Sequence, residues 1–232
     1  MGRTASRRCE GTATRSLGGV LVRRECWTLT PLGWLIVIAV TVAAGVLGAV
    51  AAYPFLAVTE RTRGEVLVVE GWIPADAIGG AAAEFRRGQY RYLVVVLGMN
   101  EKADPGSQRD KGDHVVDWLT KYGVHSPGIQ AISYETGDRD RTYHGALAVR
   151  QWLAAHAPEV KALDVVTAGT HARRSRLLYE KAFGLAISVG VIAVRSGAYD
   201  PAHWWRSSEG IREVPFEAIA YLYARFLFSP YS

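Results

Sequence analysis

From Cys26 to Thr59 the chain carries no charged residue. Its core, Leu32 to Phe55 (LGWLIVIAVTVAAGVLGAVAAYPF), exceeds the roughly 20 apolar residues that cross a bilayer as a helix. Lipid offers no partner to a bare backbone N–H or C=O, so such a stretch has to bond internally, which a helix does. Residues 31–57 are therefore predicted to form one transmembrane helix. Trp27 and Trp34 near one end and Tyr53 near the other suit the two interfacial belts. Pro31 stands at a tolerated start, and Pro54 is expected to help end the helix. The segment divides the chain into a basic tail, residues 1–30, and a globular part, residues 60–232.

Charge sets the orientation. Residues 1–59 hold six arginines (3, 7, 8, 15, 23 and 24) against Glu10 and Glu25, a balance of +4 out of +5 for the whole chain. Arginines on the N-terminal flank place the tail in the cytoplasm and residues 60–232 in the periplasm or outside, on a plasma (inner) membrane protein crossing once. A cleavable signal peptide with Ala49-Val50-Ala51 as its cleavage site is the rival reading. The run is longer than a signal core of about 7–15 residues, which favours an uncleaved anchor. Arg7-Arg8 is followed by Cys9-Glu10-Gly11 rather than an apolar entry, which argues against a twin-arginine signal. The tail, rich in Arg, Ser, Thr and Gly, is expected to be disordered. The basic charge lies in the tail, so the folded part carries no nucleic-acid signal. Both cysteines, Cys9 and Cys26, precede the apolar segment, which excludes a disulfide, a cysteine nucleophile or a cysteine metal site in the domain.

In the globular part, apolar runs alternate with amphipathic stretches. Strands are predicted at Glu65–Val69, Tyr92–Leu97, Ile129–Ser133, Leu163–Thr167 and Val189–Val194. Helices are predicted from Pro74 to Arg87 with Gly88 as the stop, near Lys111–Tyr122, from Thr142 to about His156, after Thr170, and from Ser208 to Phe228. Five such alternations imply an α/β domain: a Rossmann-like parallel five-stranded sheet with helices on both faces. Ligands of such sheets bind at the carboxyl ends of the strands. The loops to examine are then Glu70–Trp72, Gly98–Glu101, Glu135–His144 and Ala168–Arg174.

The richest junction is Leu163–Glu180, LDVVTAGTHARRSRLLYE. An apolar strand ends in Ala168-Gly169-Thr170, and a helix follows with Arg173, Arg174 and Arg176 in its first turns. Thr170 is placed to act as N-cap, and free N–H groups with the dipole's positive end suit an anion. Two readings stand. The arginines are either a solvated face paired with residues such as Glu180, or they mark an anion nearby, because the dipole disfavours cations in a first turn. Elsewhere Glu70, Gly71, Gly98, Asn100 and the run Asp138-Arg139-Asp140-Arg141 offer candidate groups, each with a plain turn or a self-neutralising loop as the alternative. Thr142 is expected to cap the next helix, with His144 in its first turn. G-x-S-x-G, Walker, G-x-G-x-x-G and H-E-x-x-H patterns are absent, and no histidine spacing suggests a metal. The chemistry left is acid/base work by Glu70, Asp138, Asp140 or His171, or anion binding by Gly71, Gly98, Asn100, Arg139, Arg141, Thr142, Thr170, His171 and Arg174.

The order of elements, with Val166-Thr167-x-x-x-His171-x-x-Arg174, resembles the YdcF/SanA/ElyC family of bacterial envelope-associated domains, over roughly Glu65–Phe226. The family's T-x-E-N-A stretch corresponds to Thr142-Tyr143-His144-Gly145-Ala146, where Thr142 and Ala146 match. The resemblance implies a Rossmann-like sandwich and a role in cell-envelope biogenesis, handling a phosphate-bearing or lipid-linked ligand. It names neither a cofactor nor a protein partner, and leaves open whether the protein is an enzyme. The alternative is a non-catalytic envelope scaffold, contacting partners through Trp204-Trp205 and the aromatic C-terminal helix (Phe216, Tyr221, Tyr223, Phe226, Phe228). A third reading, a cytoplasmic nucleotide-dependent transferase, requires inverted topology.

Overall fold

The computed structural model describes residues 29–99, 114–124, 129–135 and 140–230. The expectations for the tail, for Asn100 and for Asp138 and Arg139 fall outside the described residues. Two compact units are present, one ending at Leu47 and one running from Gly48 onward.

Helix α1 spans Pro31–Leu56, within a residue of the predicted bounds. Pro54 lies inside its last turns instead of ending it. The second unit then builds β1 (Val66–Glu70), α2 (Ala75–Arg87), β2 (Tyr92–Met99), a helix described over 114–121 (α3), β3 (Ile129–Glu135) and α4 (Arg141–His156). β4 (Ala162–Ala168), a 3-10 turn at Gly169–His171, α5 (Ala172–Phe183) and β5 (Ser188–Val194) follow. The chain closes with a 3-10 segment, Pro201–Arg206, then α6 (Ser208–Leu222) and a π turn, Tyr223–Leu227. The last helix is thus shorter than predicted, its final turn widened so that the Phe228 amide donates to the Tyr223 carbonyl.

All five strands are parallel, in the order β3-β2-β1-β4-β5. Every residue of β1 is buried. That is why it reads as an unbroken apolar run rather than an alternating one: both faces of a parallel sheet are covered. Leu67 and Val69 point into the layer made by α2 and α3, with Ile78, Ala81 and Leu119. Val66 and Val68 point into the layer made by α4 and α5, with Val149, Leu153 and Tyr179.

The chain moves outward from β1 to β2 and β3, then returns to lay β4 on the other side of β1. The connections leaving β1 and β4 therefore go to opposite faces of the sheet. Their diverging ends open the crevice where doubly wound sheets bind ligands.

The segment joining α1 to β1 runs down the free edge of β5. Thr59 accepts the Ala193 amide, Glu60 and Val191 exchange backbone bonds of 2.8 Å, and the Thr62 amide and hydroxyl donate to the buried Asp164. The edge strand is closed against stray pairing. The path also fixes polarity: the end of α1 lies at the carboxyl edge of the sheet, and Arg61 lies at the amino edge. Gly190 is required here, because a Cβ would sit 2.0 Å from Asp164 Oδ1 and 2.7 Å from the Glu60 carbonyl.

Candidate functional site

Four elements meet at the β1/β4 divergence. Glu70 ends β1 and is buried. Ser175, in the first turns of α5 and fully buried, donates its hydroxyl to both Glu70 oxygens at 3.2 and 3.1 Å. Thr167 on β4 is turned toward the same carboxylate and helps hold its charge, without reaching hydrogen-bond geometry. Among the described residues its hydroxyl is the one buried side-chain polar atom without a partner. Burial pushes the Glu70 carboxyl up, and the opposing pull of Thr167, Arg174, His171 and Ser175 does not cancel it. A carboxyl in this state can hold or give a proton nearer neutrality than a solvated one.

Above it lies a second, oppositely tuned carboxylate. Glu217 of α6 receives Arg174 through both Nε (2.8 Å) and Nη2 (3.0 Å), and His171 Nδ1 lies 2.9 Å from its Oε1. Burial alone would raise Glu217, yet His171 and Arg174 hold it down to about 2. His171 Nδ1 lies between Glu217 Oε1 and Arg174 Nη2, the latter at 3.0 Å, so the ring is oriented from that side and its Nε2 is left for a substrate, as donor or acceptor according to the tautomer. Trp72 packs edge-on against that ring, centroids 4.5 Å apart. Tyr134 of β3 donates to the Arg141 carbonyl at 2.8 Å and is pushed up to about 12 by burial and by the charge of Glu70. Asp140 is half-buried, within electrostatic reach of Arg174, and its backbone is left-handed at φ 55.

Each arginine of the α5 start has its own partner. Arg173 donates to the Phe55 carbonyl and stacks 4.2 Å over the Phe55 ring, serving an orphan carbonyl at the end of α1. Arg174 takes Glu217. Arg176 pairs with Glu180 at 2.9 Å and with Glu60. The solvated-face reading holds for Arg176. The anion expected near Arg174 exists, and it is the protein's own carboxylate, 43 residues downstream.

The predicted caps are corrected. The N-cap of α5 is His171, with no side-chain cap. Thr170 donates instead to Glu213 at 2.6 Å, which also accepts from Tyr199 at 2.8 Å. The N-cap of α4 is Asp140, likewise without a side-chain bond, and Thr142 lies in the first turn. Both helices thus present uncapped N-termini to the carboxyl edge. Gly71 is not a door for a ligand. Its amide continues the β1–β2 ladder to Val96 O at 2.9 Å, and a Cβ there would meet Leu97 at 2.4 Å. Gly98 lies within β2, paired with Tyr134, rather than in the loop after it. Arg141 and His144 are exposed.

Of the candidate residues, then, the fold gathers Glu70, Asp140, Arg141, Thr170, His171 and Arg174 at one edge. It adds Ser175, Tyr134, Glu213 and Glu217, which are not among those candidates, together with Thr167 of the resemblance motif and Trp72 of the first loop. Glu213 and Glu217 stand four apart where α6 turns apolar, and that spacing was the available signal. A second concavity, about 350 Å³, lies at the amino edge between Arg61, Arg63, Glu84, Arg87 and Tyr90. There Arg61 is taken by Glu84 at 2.6 and 2.9 Å, and Tyr90 donates to Asp164 at 2.9 Å. These pairs brace the entry to β1.

The carboxyl edge is also where the apolar helix ends. Trp204 is buried and donates its indole N–H to the Ala49 carbonyl at 2.9 Å, and Tyr53 packs on Tyr199 at 6.2 Å. A Cβ on Gly169, at the end of β4, would lie 3.3 Å from the Tyr53 hydroxyl.

No protein-family model matches the chain, and no curated protein matches it.

Proposed function

We propose that this is a single-pass membrane protein whose α/β domain binds a phosphate-bearing, lipid-linked ligand at the carboxyl edge of its sheet. The observation that carries the reading is the coincidence of three features at one edge: the crevice between β1 and β4, the acid/base groups Glu70 and His171, and the end of the apolar helix at Tyr53 and Leu56. A ligand held in a bilayer by its lipid reaches this edge without leaving the membrane.

The headgroup meets the uncapped N-termini of α4 and α5, which favour anionic oxygens, with Arg141 exposed beside them. Arg174 is neutralised by Glu217 and acts by positioning His171 rather than by gripping the ligand. Glu70 lies beneath as the proton donor or acceptor, with His171 Nε2 opposite. The arginine-rich N-terminal flank supports a cytoplasmic tail and a domain on the outer side of an inner membrane. The likeness to YdcF/SanA/ElyC domains supports a role in the cell envelope.

The test is a thermal-shift titration of the full-length protein in nanodiscs, using phosphate, pyrophosphate, nucleotides and short-chain polyprenyl phosphates. A ligand at 100 times its Kd stabilises by about 2.7 kcal/mol, a readable shift. The polyprenyl phosphate should stabilise the wild type and fail to stabilise Arg141→Ala/His171→Ala. An equal shift in both proteins, or a response to nucleotides alone, overturns the assignment.

A further inference from the structure

From Val214 onward the outer side of the C-terminal helix is apolar apart from Arg225. Ile211, Phe216, Ile219, Leu222, Phe226 and Leu227 are 52–76% exposed. Between Val214 and Phe228 only Glu217 and Arg225 carry charge, and Glu217 is turned inward to Arg174. The inner side packs apolar residues around Glu213 and Glu217: Val214 meets Leu56 and Trp204, and Ala224 meets Leu177 and Leu178. An exposed apolar patch of this kind marks an interaction surface.

The contacts of α6 say which. Its inner side is covered by the last turns of α1: Leu56 is fully buried against Val214, and Phe55 packs edge-on to Tyr221 at 5.6 Å. The helix therefore sits at the level where the chain leaves its apolar anchor. In the first turn of α6 the exposed Glu209 and Arg212 pair with each other at 3.1 Å, and from Val214 to Phe228 the exposed charged side chain is Arg225, which suits a surface resting on anionic headgroups.

We propose that α6 and its π turn form a second membrane contact, lying in the bilayer interface beside the anchor. The exposed phenylalanines, leucines and isoleucines enter the acyl boundary, Arg225 reaches headgroup phosphates, and the Glu209–Arg212 pair stays at the wet end of the helix. Because Glu213 and Glu217 on the inner side hold Thr170, His171 and Arg174, the contact fixes the site at the lipid surface. The inference rests on α1 being a membrane span and needs no particular ligand.

The test uses full-length protein with Cys9 and Cys26 changed to Ser, in nanodiscs of phosphatidylethanolamine and phosphatidylglycerol. Single cysteines are introduced as Phe226→Cys, Ile219→Cys, Leu185→Cys or Val42→Cys and labelled with a polarity-sensitive fluorophore. Lipids spin-labelled on the acyl chain, near the headgroup in one set and near the chain end in another, supply a shallow and a deep quencher. Probes at 219 and 226 should emit blue-shifted and be quenched by the shallow label. The probe at 185, fully exposed in the turn before β5 at the amino edge, should emit as in water and be unquenched. Quenching at 42 but not at 219 or 226 overturns the inference and leaves the anchor standing. Blue-shifted emission at 226 without quenching also overturns it, because a protein then covers the face. Absence of quenching at 42 removes the anchor and the inference together.

Discussion

Removing the charge of Glu217 should cost stability at neutral pH and nothing in strong acid. The carboxyl is held at about 2 in the folded protein against an ordinary value of 4.5. At about 1.4 kcal/mol for each pH unit, that difference stabilises the fold by about 3 kcal/mol. The pair is mostly buried, with side-chain exposures of 19% for Arg174 and 10% for Glu217, so solvent screens little of it. The folded state holds the proton more weakly than the unfolded chain. The contribution is therefore complete above pH 4.5 and is lost as pH falls from there through about 2. Glu217→Gln keeps the shape but leaves Arg174 half-satisfied in a buried setting. The expected loss at pH 7 is about 3 kcal/mol, a Tm lower by roughly 6–12 °C for a domain of this size. Thermal melts of the full-length protein in detergent, followed by tryptophan fluorescence from pH 7 to pH 2, read the difference directly, and other carboxylates cancel in the comparison. The two curves should converge near pH 2. A gap that stays constant down to pH 2 would assign the loss to packing, and no gap at pH 7 would refute the electrostatic account.

Other consequences follow from the same structure. Gly71→Ala should lower stability by about 1–3 kcal/mol through the clash with Leu97 and Val96, seen as a lower Tm with ligand response retained. Tyr90→Phe leaves one oxygen of the fully buried Asp164 unpaired and should cost about 1–3 kcal/mol in the same assay. Glu70 behaves oppositely to Glu217. Its folded carboxyl is raised, so it stabilises least once ionised, and wild-type stability should decline as pH rises above 4.5. Glu70→Gln should flatten that decline and abolish the response to polyprenyl phosphate. A variant with the wild-type slope would show that Glu70 is not the group that titrates.

The strands were legible because a parallel sheet buried on both faces writes itself as short apolar runs, and the observed bounds differ from the predicted ones by one or two residues. The long apolar helix was legible because an uncharged run of this length leaves few alternatives. The caps were not, because a hydroxyl beside a helix start serves whichever partner lies closer. Thr170 found Glu213, and nothing between positions 170 and 213 announces that meeting. The three arginines of α5 posed a sound question, since cations in a first turn need an explanation. The answer lay in α6, which packs on that turn only once the chain has folded. Strand order escaped the sequence too, and with it the location of the crevice between β1 and β4. Gly71 and Gly98 were read as openings for a ligand because a glycine's need for space looks alike whether a ligand or a neighbouring strand fills it.

The most direct test is to find where a lipid-linked phosphate touches the protein. A polyprenyl phosphate bearing a diazirine next to the phosphate is incorporated into nanodiscs with the full-length protein, irradiated, and the adducts mapped by mass spectrometry. The account predicts adducts on Glu70–Trp72, on the start of α4 at 140–144 and on His171–Ser175, competed away by unlabelled ligand and absent in Arg141→Ala/His171→Ala. Adducts confined to α1, or spread over the domain without competition, would contradict a binding site at the carboxyl edge.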